Sequence, residues 1–192
     1  MKHLFFLLLT ASFVASCSDW VPEPDKELRE EAEKMQALQK TGCVFSSPDH
    51  TLSGIELRNA ASTEQVLGKD TKLTGDSTHL FYSGNRKQML ALTVFAGDYL
   101  NQVSVFRVYY APNGNQPYPK MKTSDFVTEK GIRLGISRKE LTGKLGSCYI
   151  VKDSTANTVT LKYLIVQDLV YFATYQFRND QLEAMAFGYE YP

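Results

Sequence analysis

Two stretches of the chain, GIELRNAASTEQVLG at 54–68 and GIRLGISRKELTGKLG at 131–146, present the same features in the same order. Each opens on an extended Gly-Ile segment and reaches a serine followed three residues later by a glutamine or a glutamate. Ser62-Thr63-Glu64-Gln65 and Ser137-Arg138-Lys139-Glu140 both fit the capping box that opens a helix. Each helix is short, and a Leu-Gly pair stops it, Leu67-Gly68 in one and Leu145-Gly146 in the other, where glycine can take a left-handed cap. Strand-like runs follow both. They lie at 80–82, 89–95 and 103–110 after the first, and at 159–165, 169–177 and 182–189 after the second. Asn101-Gln102-Val103 set over Asp180-Gln181-Leu182 gives an offset of 79, which also brings Tyr110 onto Tyr189, while the Gly-Ile pairs are offset by 77. The pattern predicts an α+β chain of two tandem repeats, each a short helical layer packed on its own antiparallel sheet of about three to four strands. The first repeat is expected over 42–111 and the second over 124–192. The proline-rich APNGNQPYP within 111–119 marks a linker over 112–123.

A different pattern precedes the repeats. MKHLFFLLLTASFVASC begins with a basic residue, continues through an apolar stretch at 4–14 and ends in small residues. The stretch falls short of the roughly 20 apolar residues that span a bilayer and has the layout of a signal peptide over 1–16. Val14-Ala15-Ser16-Cys17 resembles the bacterial lipobox. That resemblance implies cleavage between Ser16 and Cys17 and palmitate-type acylation of Cys17. Two or three acyl chains, each buried CH₂ adding about 0.8 kcal/mol, attach a protein stably to a membrane without crossing it. Ser18 stands where an inner-membrane retention signal carries Asp, which favours the outer membrane. Ser18-Asp19 resembles the first half of an acidic surface-export signal of some Gram-negative lipoproteins. Trp20 and Val21 interrupt it, which favours the periplasmic face over the cell surface.

Cleavage would leave 20 basic and 21 acidic side chains, a formal charge of −1. Such a balance supplies no field to draw the chain to nucleic acid or anionic lipid. Residues 17–41 would join anchor to fold. Leu28, Ala32, Met35 and Leu38 form one helical stripe there, with Asp25 as a cap and Gly42 as a stop. The simpler reading is a solvated stalk; the stripe could also seat on the domain or on a partner helix. Cys43 and Cys148 remain after lipidation. An oxidising envelope lets them pair, closing a loop of about 100 residues worth nearly 5 kcal/mol in the chain-entropy picture, or they stay as separate buried thiols.

GIRLGISRKELTGKLG and the closing VYFATYQFRNDQLEAMAFGY resemble the BamE/SmpA-type outer-membrane lipoproteins and the related β-lactamase-inhibitor-protein-like (BLIP-like) domains. The likeness covers most of 124–192 and is weaker in the first copy, where Asn59-Ala60 stands in place of Gly135-Ile136. It implies helices layered on an antiparallel sheet and a non-catalytic role: contact with an envelope or extracellular protein, in assembly or as an inhibitor of an extracellular enzyme.

The residues offer little to set against that role. The mature chain would hold only His50 and His79, neither in a zinc-binding spacing. No G-x-S-x-G, P-loop or G-x-G-x-x-G occurs, and no cofactor or metal is implied. A Ser-His-Asp set is recognised by geometry and not by order. His50 beside Asp49 reads as a loop pair and His79 as a strand start. Eleven tyrosines are the better lead. Tyr109, Tyr110, Tyr118, Tyr189 and Tyr191 gather near strand ends and the linker, where tyrosine can serve a protein interface, simply pack in strands, or stack on a glycan, the rival reading being a glycan-binding or glycan-processing surface lipoprotein.

Overall fold

A computed structural model describes residues 24–112 and 116–190. The signal peptide, Ser16, Cys17 and Tyr191 lie outside the described residues. The first element, α1 (Pro24–Lys40), already contains Asp25, which is therefore not its cap. The amides of Thr41 and Gly42 close its last turn on Leu38 and Gln39. A two-stranded pair, β1 (Thr51–Leu52) and β2 (Ile55–Glu56), comes next, followed by α2 (Ala60–Leu67). Then come β3 (Ser77–Tyr82), β4 (Gln88–Val94) and β5 (Val105–Tyr110). The second half supplies α3 (Arg138–Leu145), β6 (Ile150–Ser154), β7 (Thr158–Val166), β8 (Val170–Arg178) and β9 (Gln181–Tyr189).

The expected pair of helix-on-small-sheet repeats is not what forms. β3 to β9 build one seven-stranded antiparallel sheet in the order β3-β4-β5-β9-β8-β7-β6. The seam is β5 against β9, from Val105 opposite Gly188 to Tyr109 opposite Ala184, with the Phe106 and Phe187 rings 5.2 Å apart across it. Two separate sheets would each leave a row of unpaired amides and carbonyls along a free edge, and joining those edges satisfies both. At the seam Gly188 is obligatory, because a Cβ there would lie 2.2 Å from the Ser104 carbonyl oxygen.

One apolar core confirms the merger. On the inner face Phe81, Leu90, Leu92, Phe106 and Val108 from one half join Leu161, Tyr163, Tyr175, Phe177 and Phe187 from the other. Leu52, Ile55, Leu141, Leu145 and Ile132 cover them, from β1, β2, α3 and a connecting segment. The halves also exchange chain. Residues 43–53 belong to the expected first repeat, yet Phe45 bridges Gly146, Leu52 bridges Thr128, and the Ser53 amide donates to the Val127 carbonyl at 2.9 Å. Within 112–123, the Tyr82 amide donates to the Pro119 carbonyl and the Met121 amide to that of Tyr82, both at 2.8 Å, so this segment lines part of the β3 edge.

Local chemistry explains where the two short helices begin and end. Ser137 caps α3 as its sequence suggests, its hydroxyl accepting from the Glu140 amide at 3.1 Å. Ser62 does not cap α2. Asn59 does, its side-chain oxygen accepting from the Ser62 amide at 3.2 Å, while the Ser62 hydroxyl donates to the Asn59 carbonyl and accepts from the Glu56 amide. The helix thus opens three residues earlier, because the hydroxyl needed for a later cap is already engaged. Neither terminal glycine is in the left-handed helical well; Gly146 has φ 94° with ψ −174°. Its constraint is crowding: a Cβ there would sit 2.1 Å from the Val44 carbonyl oxygen, where 43–46 crosses.

Candidate functional site

The sheet has a second, outer face, and α1 covers only its β6–β7 end. There Met35 packs with Cys148, Ile150 and Leu164, and Leu28, Ala32 and Leu38 are partly buried beside them. The stripe is seated on the domain, so the solvated stalk is corrected for 24–40. Apolar area explains part of this and charge the rest. Glu31 is 3 % exposed, accepts from Lys162 Nζ at 2.8 Å and is ion-paired to Lys152. Lys152 also reaches Glu27, and Lys162 reaches Glu190 at 3.2 Å. Burial alone would raise the Glu31 carboxyl. The hydrogen bonds from Lys152 and Lys162, and their charges, outweigh it and hold the carboxyl below its ordinary value.

The helix end is held covalently. Cys43 and Cys148, whose pairing the sequence left open, are bonded, with their Cα atoms 5.0 Å apart. That separation lies within the usual range for a disulfide.

Beyond α1 the middle of the outer face is exposed or half-exposed, at Arg107, Thr174, Gln176, Ala184 and Ala186, whereas Tyr82, Met89 and Ala91 at its β3–β4 end are buried. Strand registers place Leu80, Ala91, Arg107, Ala186, Thr174, Lys162 and Ile150 in one row across all seven strands. Ala186 and Thr174 in the middle of the row are small, so the surface dips beside Arg107. Arg107, Phe172, Thr174, Gln176, Ala184 and Ala186 line a shallow depression of about 240 Å³. Of the charged side chains in β4, β5, β7, β8 and β9, Lys162, Arg178 and Glu183 are ion-paired. Arg107 is exposed and has no counter-ion among the described residues. An unpaired guanidinium beside an uncharged dip can take a carboxylate bidentately while apolar contact surrounds the pair.

The tyrosines singled out from sequence do not converge. Tyr109 is half-buried on the outer face between Met89 and Ala184. Its neighbour Tyr110 points to the other face, with its hydroxyl near Gly135. Tyr118 lies 6.0 Å from the Tyr82 ring at the β3 edge. Tyr189 sits at the far end of β9, 6.1 Å from Tyr171, with the Arg58 guanidinium 5.8 Å over its ring. Tyr109 lies on the same face as Arg107, two residues along β5. Sequence reasoning overlooked Arg107, although one charge inside the apolar run Val105-Phe106-Arg107-Val108 was a visible signal of a side chain facing away from the core.

Asp49 and His50, read as a loop pair, take separate partners. The His50 ring is 5.7 Å from Tyr171, and its amide donates to Glu129 at 3.0 Å. Asp49 is 1 % exposed. Its Oδ1 accepts from the Lys130 amide at 3.2 Å, its backbone carbonyl accepts from the Tyr171 hydroxyl at 2.9 Å, and its Oδ2 has no hydrogen-bond partner among the described residues. Burial pushes its carboxyl above the ordinary value against the lowering influence of Lys130, and burial likewise raises Tyr171. His79 shares a hydrogen bond of 2.8 Å with Ser77. Among the described residues no cluster of His, Cys, Asp or Glu could hold a metal ion, and no helix is long and apolar enough to cross a membrane. No family model, no curated protein and no solved structure matches the chain.

Proposed function

We propose that the chain is a lipid-anchored cell-envelope protein, held at the periplasmic face of the outer membrane through Cys17. In this reading it works as a non-catalytic protein-binding or assembly module. Its binding surface is the open part of the outer sheet face, with Arg107 as polar anchor and Tyr109 and Phe172 as flanking apolar area. The observation that carries the proposal is the uncompensated Arg107 beside the small-residue dip. Interfaces draw most of their energy from a few residues, among which arginine, tyrosine and tryptophan are enriched, and which a partner desolvates on binding. The lipobox at 14–17 and the likeness of 124–192 to BamE/SmpA-type lipoproteins point the same way.

The test is a pull-down from detergent-solubilised envelope with the anchored protein and with its Arg107→Glu variant. A defined protein recovered by the first and lost from the second is the expected result. Recovery of the same proteins by both would remove the outer face from the reading. Labelled palmitate that enters the chain but not a Cys17→Ser variant would establish the anchor; equal labelling would refute it.

A further inference from the structure

A second recess lies on the opposite side of the molecule from the α1 seat, between α2 and the β3 edge, and it owes nothing to the outer face. Its cause is topological. β3 ends the sheet, and only its Tyr82 end is paired, in parallel, with Lys120. Along the rest of β3 the inner layer stops at α2, leaving a cleft of about 350 Å³, within the size range of about 300–1,000 Å³ common to small-molecule sites.

Two chemistries meet in the lining. Leu67, Leu73, Phe81 and Met121 provide apolar walls, of which the last three are buried. Lys72, Lys120 and Lys122 are exposed around them. No acidic residue is among the lining residues, and none of the three lysines is ion-paired with a described residue. Three ammonium groups beside an apolar recess leave a local positive potential that no carboxylate in the lining answers. A neutral apolar ligand would use the walls and ignore the lysines. An inorganic anion would use the lysines and ignore the walls.

We infer that this cleft binds a small amphipathic anion, a free medium-chain carboxylate, with its alkyl chain on Leu67, Leu73, Phe81 and Met121 and its carboxylate among Lys72, Lys120 and Lys122. The proposal goes beyond the protein-binding reading and does not depend on it.

Decanoate carrying a photoreactive diazirine is the probe. It is titrated against the intact chain in neutral-phospholipid nanodiscs, with empty discs as background, and its crosslinks are mapped by mass spectrometry. Crosslinks are expected within 66–73, 79–81 and 119–122. Decanol should compete about tenfold less well than decanoate, the ratio that a few exposed ion pairs of modest strength supply. The K72Q/K120Q/K122Q variant should lose about the same tenfold for decanoate and nothing for decanol. All three substitutions are on exposed side chains, and circular dichroism checks that the fold is retained. Equal competition by decanol, or crosslinks outside those segments, would overturn the assignment. So would competition by an anionic phospholipid in the disc but not by free decanoate, since the anion would then belong to the membrane.

Discussion

The two faces of the central sheet are built from the same strands and solve burial differently. The inner face is covered almost wholly by apolar side chains, with Phe106, Phe177, Phe187 and Tyr175 among its most buried members. The outer face carries at one end a helix whose seat mixes four buried apolar residues with an ion-pair network, buries Tyr82, Met89 and Ala91 at the other, and leaves its middle exposed. Apolar burial is non-directional and scales with area, whereas the Glu31 network works only in one geometry. The inner face therefore sets whether the chain folds, and the outer face sets where α1 lies and how much sheet stays open.

Breaking the seam should have the largest effect. Phe106→Ala removes a fully buried ring that spans the two halves and is expected to cost about 3–5 kcal/mol in urea unfolding. Near-ultraviolet and far-ultraviolet probes should still coincide in one transition, because both halves share one core. Two separated transitions would restore independent units.

Reducing the Cys43–Cys148 bond comes next, with about 2–4 kcal/mol expected from a bridge across 105 residues of sequence. The loss should concentrate near α1, read as faster hydrogen exchange over 24–40. Glu31→Gln should cost about 1–3 kcal/mol, since Lys152 and Lys162 lose their shared buried carboxylate but keep Glu27 and Glu190.

The buried carboxylates sharpen the comparison through pH, with opposite signs. Glu31 is held below its ordinary value, so its stabilisation is present above the unfolded-state carboxylate pKa and is lost as pH falls through the folded value. Asp49 is raised, so its contribution is greatest below the unfolded-state pKa and disappears as pH rises through the folded one. Asp49→Asn should therefore be more stable than the parent at pH 7, and the gap should close on acidification. A gap that widens in acid would show that the sign is wrong. Smallest of all, Thr174→Arg and Arg107→Glu alter exposed or half-exposed outer-face positions and should shift stability by no more than about 0.5 kcal/mol. If either unfolds the protein, the open face is structural.

Much of the local order was legible in the chain. The strand runs around 89–95, 169–177 and 182–189 lie on β4, β8 and β9, and Ser137 caps α3. β6 was missed because Ile150-Val151-Lys152-Asp153-Ser154 is an edge strand with a bulge and alternates poorly. The start of α2 was misplaced because a competing hydrogen bond decided it. Arg107 was passed over because its meaning comes from its neighbours in the row, Ala91, Ala186 and Thr174, which lie on three other strands.

Periodicity and turn chemistry are properties of neighbouring residues, so the chain by itself determined that two helices would each be followed by antiparallel strands. It equally determined that an apolar stripe would run along 28–38. Whether those strands would close as two sheets or one, and whether the stripe would face water or the sheet, depended on which edges and surfaces met at long range. Only the tertiary structure decided that: edge amides left without partners cost more than a joined sheet, and the Glu31 carboxylate finds two lysines on β6 and β7 only once the sheet exists.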